Sequence, residues 1–124
     1  MKICKGWIEI READNYWHSV MRITALIPQA PDVTAVLFDV DNLKDVKPIA
    51  SNRGMPHDIS DEVAFDYDKD KEWAHFDTWV RPSEVAKVFQ VKKIIKGWSV
   101  VFSLMGVLGE IYSDHNVRLV VWFI

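Results

Sequence analysis

The run of residues 117–124 constrains the fold more than any other part of the sequence. It reads Val-Arg-Leu-Val-Val-Trp-Phe-Ile and is apolar at every position except Arg118. A β-branched and aromatic run of this length is typical of a strand, and a strand that is apolar on both faces has to be covered on both. The sequence therefore predicts that this strand lies in the interior of a sheet.

The first 40 residues predict a hairpin followed by a helix. Residues 7–11 alternate between apolar and polar side chains, and residues 13–15 (Ala-Asp-Asn) are typical of a turn. A second strand is expected over residues 16–27, where Pro28 ends it. After Pro31, apolar residues recur at helical spacing, which predicts a helix; they are Val33, Val36, Leu37 and Val40.

The rest of the chain predicts three helices and one further strand. Ser60 is a suitable N-cap for a short helix, and Pro82 is suited to the first turn of another. Residues 66–72 are mostly charged, so we expect them to be solvated, and residues 75–80 are expected to be extended. Residues 98–112 are apolar on nearly every side, which predicts a helix covered by its own sheet or by another subunit. The predicted fold is α+β, a mainly antiparallel sheet packed with helices, in a single domain of residues 1–124.

Composition restricts the partners and the compartment. The net charge is −3 and no Lys/Arg cluster exceeds a pair, which argues against long nucleic acid. Cys4 is the only cysteine, so an intrachain disulfide is impossible and a reducing cytoplasm fits best. The uncharged run 97–109 has 13 residues, fewer than the roughly 20 that cross a bilayer, so we expect no membrane partner.

Metal and catalytic patterns are weak. One acidic series has the spacing of a calcium loop, but Lys71 replaces the required glycine and the last carboxylate belongs to an aspartate; the series is Asp66, Asp68, Asp70, Glu72 and Asp77. The four histidines show no metal-ligand spacing, and Cys4 lacks the context of a nucleophile elbow. The sequence therefore predicts a protein without metal, cofactor or enzymatic activity.

Residues 48–60 predict a bent loop, because two prolines and a glycine interrupt regular structure. Arg53 and the backbone of Gly54 are suited to holding a phosphate. Trp73, His75 and Trp79 are expected to line one side of a pocket with their rings. For each side chain a structural role stays open: a salt bridge from Arg53 to the acidic segment, core packing for Trp79, and a structural hydrogen bond for His75.

Three blocks of the sequence resemble a bacteriophage small-protein family. The first block is Pro48, Ile49, Arg53, Gly54, Met55, Pro56, Asp58, Ile59 and Ser60. The second is Ala74, His75, Trp79 and Glu84, and the third is Val117, Arg118, Val120, Trp122 and Phe123. The chain departs from the family pattern where Gln29-Ala30-Pro31 replaces Arg-Asn-Tyr, at Asp41, and at Glu72-Trp73.

The family is similar to immune-evasion proteins that act as sponges for nucleotide second messengers of the CBASS or Thoeris response. The resemblance implies sequestration of a cyclic dinucleotide-like signal, without cleavage, by a homo-oligomer (dimer or tetramer) in the host bacterial cytoplasm. On this hypothesis Arg53 and Gly54 hold phosphate, one of the rings of Trp73, His75 and Trp79 stacks on a base, and Asn52 and Asp58 read base edges or order the loop.

Three other functions stay open. A phosphodiesterase of the same signal would use His57 or His75 as general acid or base. A protein-directed inhibitor, similar in role to an anti-CRISPR, would use the acidic residues 58–77 as a decoy surface. A structural phage protein is the third.

Overall fold

Four antiparallel strands in the order β2–β1–β4–β3 form the centre of the structure. The computed structural model describes residues 3–27, 38, 49–91 and 96–124. The strands are β1 (Cys4–Arg11), β2 (Trp17–Arg22), β3 (His75–Val80) and β4 (Val117–Phe123). Three α-helices lie in the described parts of the chain: α1 (Asp61–Asp68), α2 (Pro82–Val91) and α3 (Lys96–Tyr112). The predicted α+β class is confirmed.

The position of β4 follows from its apolar sequence. It pairs with β1 on one side and with β3 on the other, and all seven of its residues are buried. The prediction of an interior strand is confirmed. Arg118 is the one charged residue of this strand, and its burial requires partners that compensate its charge.

Helices α2 and α3 cover one face of the sheet. Trp98, Phe102 and Met105 of α3 are buried in a core with Leu119 and Phe123 of β4. The opposite side of α3 is not covered by the described part of the chain, where three apolar residues are each more than half exposed: Val100, Val107 and Ile111. The predicted cover by the sheet is therefore confirmed for one side of α3, and cover of the other side by another subunit stays a prediction.

Helix α1 and the preceding loop cover the other face, where carboxylates fix the helix to the sheet. Asp66 accepts hydrogen bonds from Trp7 Nε1 (2.8 Å) and from Arg22 Nε (2.9 Å). Asp70 accepts from Lys5 Nζ (2.6 Å) and from Trp122 Nε1 (2.9 Å). The prediction that residues 66–72 are solvated is wrong at Asp66 and Asp70, because indoles and cations of the sheet supply their donors.

The hairpin is confirmed, but β2 ends at Arg22 rather than at residue 27. Residues 24–26 form a turn in which Leu26 N donates to Ile23 O (2.8 Å). The helix predicted after Pro31 lies outside the described residues except for Phe38, which is buried. No helix within the described ranges is long and apolar enough to span a bilayer.

Candidate functional site

Arginines and tryptophans lie close together at one end of the four strands, where β1 and β3 end and β2 and β4 begin. β1 ends at Arg11, β2 begins at Trp17, β3 ends just before Arg81, and β4 begins just before Arg118. Because neighbouring strands are antiparallel, these termini lie side by side. With Trp79 of β3, these residues form what we call the arginine–tryptophan cluster: Arg11, Trp17, Trp79, Arg81 and Arg118.

Guanidinium groups stack on both indoles of the cluster. Arg118 Cζ is 3.8 Å from the centroid of the Trp17 ring, and Arg11 Cζ is 5.0 Å from it. Arg81 Cζ is 5.3 Å from the centroid of the Trp79 ring. Such cation–π contacts contribute about 0.5–2 kcal/mol each, depending on how far the pair is desolvated. They hold the positive groups in place without neutralising them.

Two carboxylates fix the buried Arg118. Its Nε donates to Glu9 Oε1 (2.8 Å) and its Nη1 donates to Asp58 Oδ1 (3.0 Å). Glu9 is fully buried, and its second oxygen accepts the backbone N–H of Ser60 (2.7 Å). Asp58 also accepts from Trp17 Nε1 (3.1 Å). Burial opposes the ionisation of Asp58, but the hydrogen bond and the charge of Arg118 outweigh it and lower the pKa of that carboxyl.

One nitrogen of Arg118 keeps a free donor. The Arg118 side chain is 8% exposed, and its buried Nη2 has no hydrogen-bond partner among the described residues. A buried donor of a charged group without a partner is costly, so such a group calls for a ligand or water. Arg118 therefore combines a structural role on two nitrogens with unused capacity on the third.

The cluster encloses a cavity of about 170 Å³. Arg11, Arg81 and Arg118 line it together with His115, and among the described residues of the lining Asp58 is the only acidic one. Trp17, Trp79 and Val117 supply its apolar wall. With Glu9, which is paired to Arg118 behind the lining, three guanidiniums are set against two carboxylates, and the remaining net positive charge fits a small anion.

The predicted site residue Arg53 is engaged within the chain. Its Nη1 donates to Glu84 Oε1 (2.9 Å), its Nη2 donates to Glu84 Oε2, and further bonds reach the backbone oxygens of Trp79 and Ile49. Burial works against ionisation of Glu84, yet the bond from Arg53 prevails and lowers the pKa of that carboxyl. Arg53 also stacks on Trp79, at 4.5 Å from the ring centroid. The salt bridge left open by the sequence exists, but it joins the loop to α2 rather than to the acidic segment.

The loop bends as predicted, at Asn52 (φ 50°) and Gly54 (φ 89°). Its backbone amides, however, face β3. The N–H of Arg53 donates to Thr78 Oγ1 (3.2 Å), and the N–H of Gly54 donates to Asp77 O (2.8 Å). Neither amide is open to an anion, so the prediction that the Gly54 backbone holds phosphate is corrected.

Trp73 and His75 lie away from the cluster. His75 pairs with Phe123 at one end of β3, whereas Trp79 pairs with Val120 near the other. Four residues of strand correspond to about 13 Å. A bulge at Phe76 (φ 57°) also interrupts the alternation from which a row of rings was predicted. The structure thus brings Asp58 and Trp79 together at the cavity of the cluster and leaves Trp73 and His75 outside it.

Sequence reasoning did not identify most of the cluster. Arg11 and Trp17 are paired across the hairpin, and the strand order brings the end of β3, before Arg81, to the same end of the sheet. Arg118 was the one available signal, as a single charge inside an apolar strand. The sequence matches no known protein-family profile, no curated protein and no solved structure.

Proposed function

We propose that the protein binds a cyclic nucleotide second messenger in the arginine–tryptophan cluster and releases it without chemical change. On this proposal it acts as a nucleotide sponge in the host bacterial cytoplasm, as the phage immune-evasion proteins that it resembles are expected to do. Asp58, Trp79 and Arg118, which carry part of that resemblance, belong to the cluster or fix it.

The positive cavity is the observation that supports this proposal. Guanidinium groups are planar donors that match phosphate oxygens and stay ionised at every physiological pH. The unpartnered Nη2 of Arg118 supplies a buried donor beside the more exposed Arg11 and Arg81. The phosphate contact is therefore assigned to these arginines, while Arg53 takes a supporting role by holding Trp79.

The size of the cavity limits what it receives. At about 170 Å³ it is smaller than the roughly 300–1,000 Å³ typical of sites that enclose a whole drug-sized ligand. It therefore accommodates the phosphate group of a ligand, while the remainder of the ligand extends over the adjoining surface. The positive lining favours phosphorylated molecules over neutral rings.

Thermal denaturation with a panel of cyclic dinucleotides tests this function. Bound ligand at 100 times its dissociation constant adds about 2.7 kcal/mol to the free energy of unfolding. The side chain of Arg81 makes no hydrogen bond to the described residues. Arg81→Gln removes its guanidinium and should weaken nucleotide binding at least about tenfold. Lys87→Gln on α2 is the matched control, because it removes an equal charge outside the cavity. Failure of every nucleotide to stabilise the wild-type protein would refute the proposal.

A phosphodiesterase is the second candidate because His115 lines the cavity. His57 and His75, the two candidates for this role in the sequence, are exposed and do not line it. Chromatography of the ligand after incubation and denaturation of the protein separates the two functions. A sponge returns the intact ligand, whereas a phosphodiesterase returns linear or mononucleotide products.

The protein-directed inhibitor requires a different test from the one that the sequence suggests. Charge reversal at Asp66 or Asp70 would break the contacts that hold α1 to the sheet. Asp68 and Glu72 are exposed and are suitable positions instead. Loss of inhibition with unchanged nucleotide binding would favour the inhibitor.

The dimer or tetramer stays a prediction. The exposed Val100, Val107 and Ile111 of α3 are the proposed subunit contact, because they form the apolar side of that helix that the described residues leave uncovered. Sedimentation of the wild type and of Val107→Glu tests it. A monomeric wild type would contradict this part of the proposal.

A further inference from the structure

A larger cleft adjoins the arginine cavity and has the opposite charge. It measures about 430 Å³ and is lined by residues 16–19 and 58–62. Trp17 and Asp58 line both this cleft and the arginine cavity, so the two spaces are neighbours across these side chains. A volume of this size lies within the range typical of small-molecule sites.

Three side chains of this cleft, Ser60, Asp61 and Glu62, have polar atoms without a partner among the described residues. Asp61 and Glu62 are exposed and make no hydrogen bond or ion pair with the residues that the structure describes. Ser60 is 7% exposed, and its buried Oγ has no partner within the same residues. A buried hydroxyl without a partner is unfavourable. The Ser60 hydroxyl therefore indicates a ligand independently of the two carboxylates.

The cleft also contains a free aromatic surface. Tyr16 is 73% exposed, whereas Trp17 is buried and already carries the guanidinium of Arg118. A base stacks on an exposed ring with a stabilisation that depends little on which base it is. Tyr16 thus offers stacking, and the carboxylates offer hydrogen-bond acceptors.

We infer that this cleft receives the base of the nucleotide and that Asp61 and Glu62 select guanine. The inference rests on the proposed function, since it places the phosphate in the arginine cavity. Guanine presents two adjacent donors, N1–H and the N2 amino group, and one carboxylate accepts both. Adenine presents an acceptor at N1, which would face the carboxylate oxygens without a donor.

The position of the two carboxylates suits this role. They lie in the first turn of α1, where the N-terminal end of the helix favours negative charge. They have no cationic partner in the described parts of the chain, so their oxygens are open to donors of a ligand. A good two-bond contact to a base edge discriminates roughly tenfold or more against the wrong base.

Isothermal titration of cyclic di-GMP and cyclic di-AMP tests the inference. The wild type should bind the guanine ligand at least about tenfold more tightly. In the double variant Asp61→Asn/Glu62→Gln this preference should fall below about threefold, because amides can serve both bases. Glu72→Gln, an exposed carboxylate outside the cleft, is the matched control and should keep the preference.

A third variant separates stacking from selection. Tyr16→Ser should weaken both ligands by about the same factor, at least about fivefold, and leave their ratio unchanged. Binding of both ligands with equal affinity by the wild type would overturn the guanine inference and leave the proposed function intact. Absence of binding by either ligand and by the whole panel would overturn both.

Discussion

The isosteric change Glu9→Gln tests the buried ion pair on which the cluster depends. Glu9 is fully buried, and its two oxygens accept from two different donors, Arg118 Nε and Ser60 N. Glutamine has one acceptor oxygen, so its amino group must face one of those donors. The change leaves no cavity, and any loss of stability therefore reports the polar contacts alone.

The expected loss is about 3–5 kcal/mol, which is the usual effect of breaking a buried ion pair. Urea denaturation followed by tryptophan fluorescence measures it. With a slope of about 1.5 kcal/mol per molar urea, the midpoint should fall by roughly 2 M or more. In an Arg118→Met background the same change at Glu9 should cost at least about 1 kcal/mol less, since the pair is already broken.

Glu12→Gln is the matched control. Glu12 follows the same strand, is exposed, and has no side-chain partner among the described residues. The unfolding free energy of the Glu12→Gln variant should therefore stay within about 0.5 kcal/mol of the wild-type value. A loss below about 1 kcal/mol for Glu9→Gln would refute the claim that this pair holds the arginine in place.

Three further predictions concern other parts of the fold. The pKa values of partnered carboxyls such as Asp66 are lower in the folded protein than in the unfolded chain, so these groups contribute their full stabilisation above the pKa of the unfolded chain. The free energy of unfolding should therefore stay level near neutral pH and fall below about pH 4, and it should fall less steeply in Asp66→Asn. In the urea assay, Gly6→Ala should destabilise the protein by about 1–3 kcal/mol, because the added Cβ would lie 2.6 Å from Val120 O. Gly106→Ala should stabilise it by about 0.5–1 kcal/mol, because no described atom lies within 4 Å of the added Cβ. Cys4 is buried and burial raises the pKa of its thiol, so iodoacetamide should label it only under unfolding conditions; rapid labelling of the native protein would contradict its placement in β1.

The fold was predictable where local sequence decides structure. The apolar run of β4, the turn at 13–15 and the helix starts at Ser60 and Pro82 all depend on neighbouring residues, and the structure confirms them. The predicted end of β2 was wrong because the turn at residues 24–26 contains no glycine or proline that would indicate it.

The site was less predictable because it depends on contacts between distant residues. The acidic segment looked solvated by composition, yet Asp70 meets Lys5 across 65 positions of sequence. Arg53 was recognised as a key residue of the loop, but its partner Glu84 lies 31 positions away and no local pattern predicts it. The partners of these charged residues depend on how the strands pair, and the local sequence does not determine that register.

Indole resonances of the tryptophans provide the most direct test of the central claim. Trp17 and Trp79 line the arginine cavity, whereas Trp73 is 69% exposed near the opposite end of β3. In ¹H–¹⁵N correlation spectra, addition of a cyclic dinucleotide should shift the Nε1–H signals of Trp17 and Trp79 and leave that of Trp73 unchanged. A shift confined to Trp73, or no shift of any indole at saturating ligand, would contradict the assignment of the binding site to the arginine–tryptophan cluster.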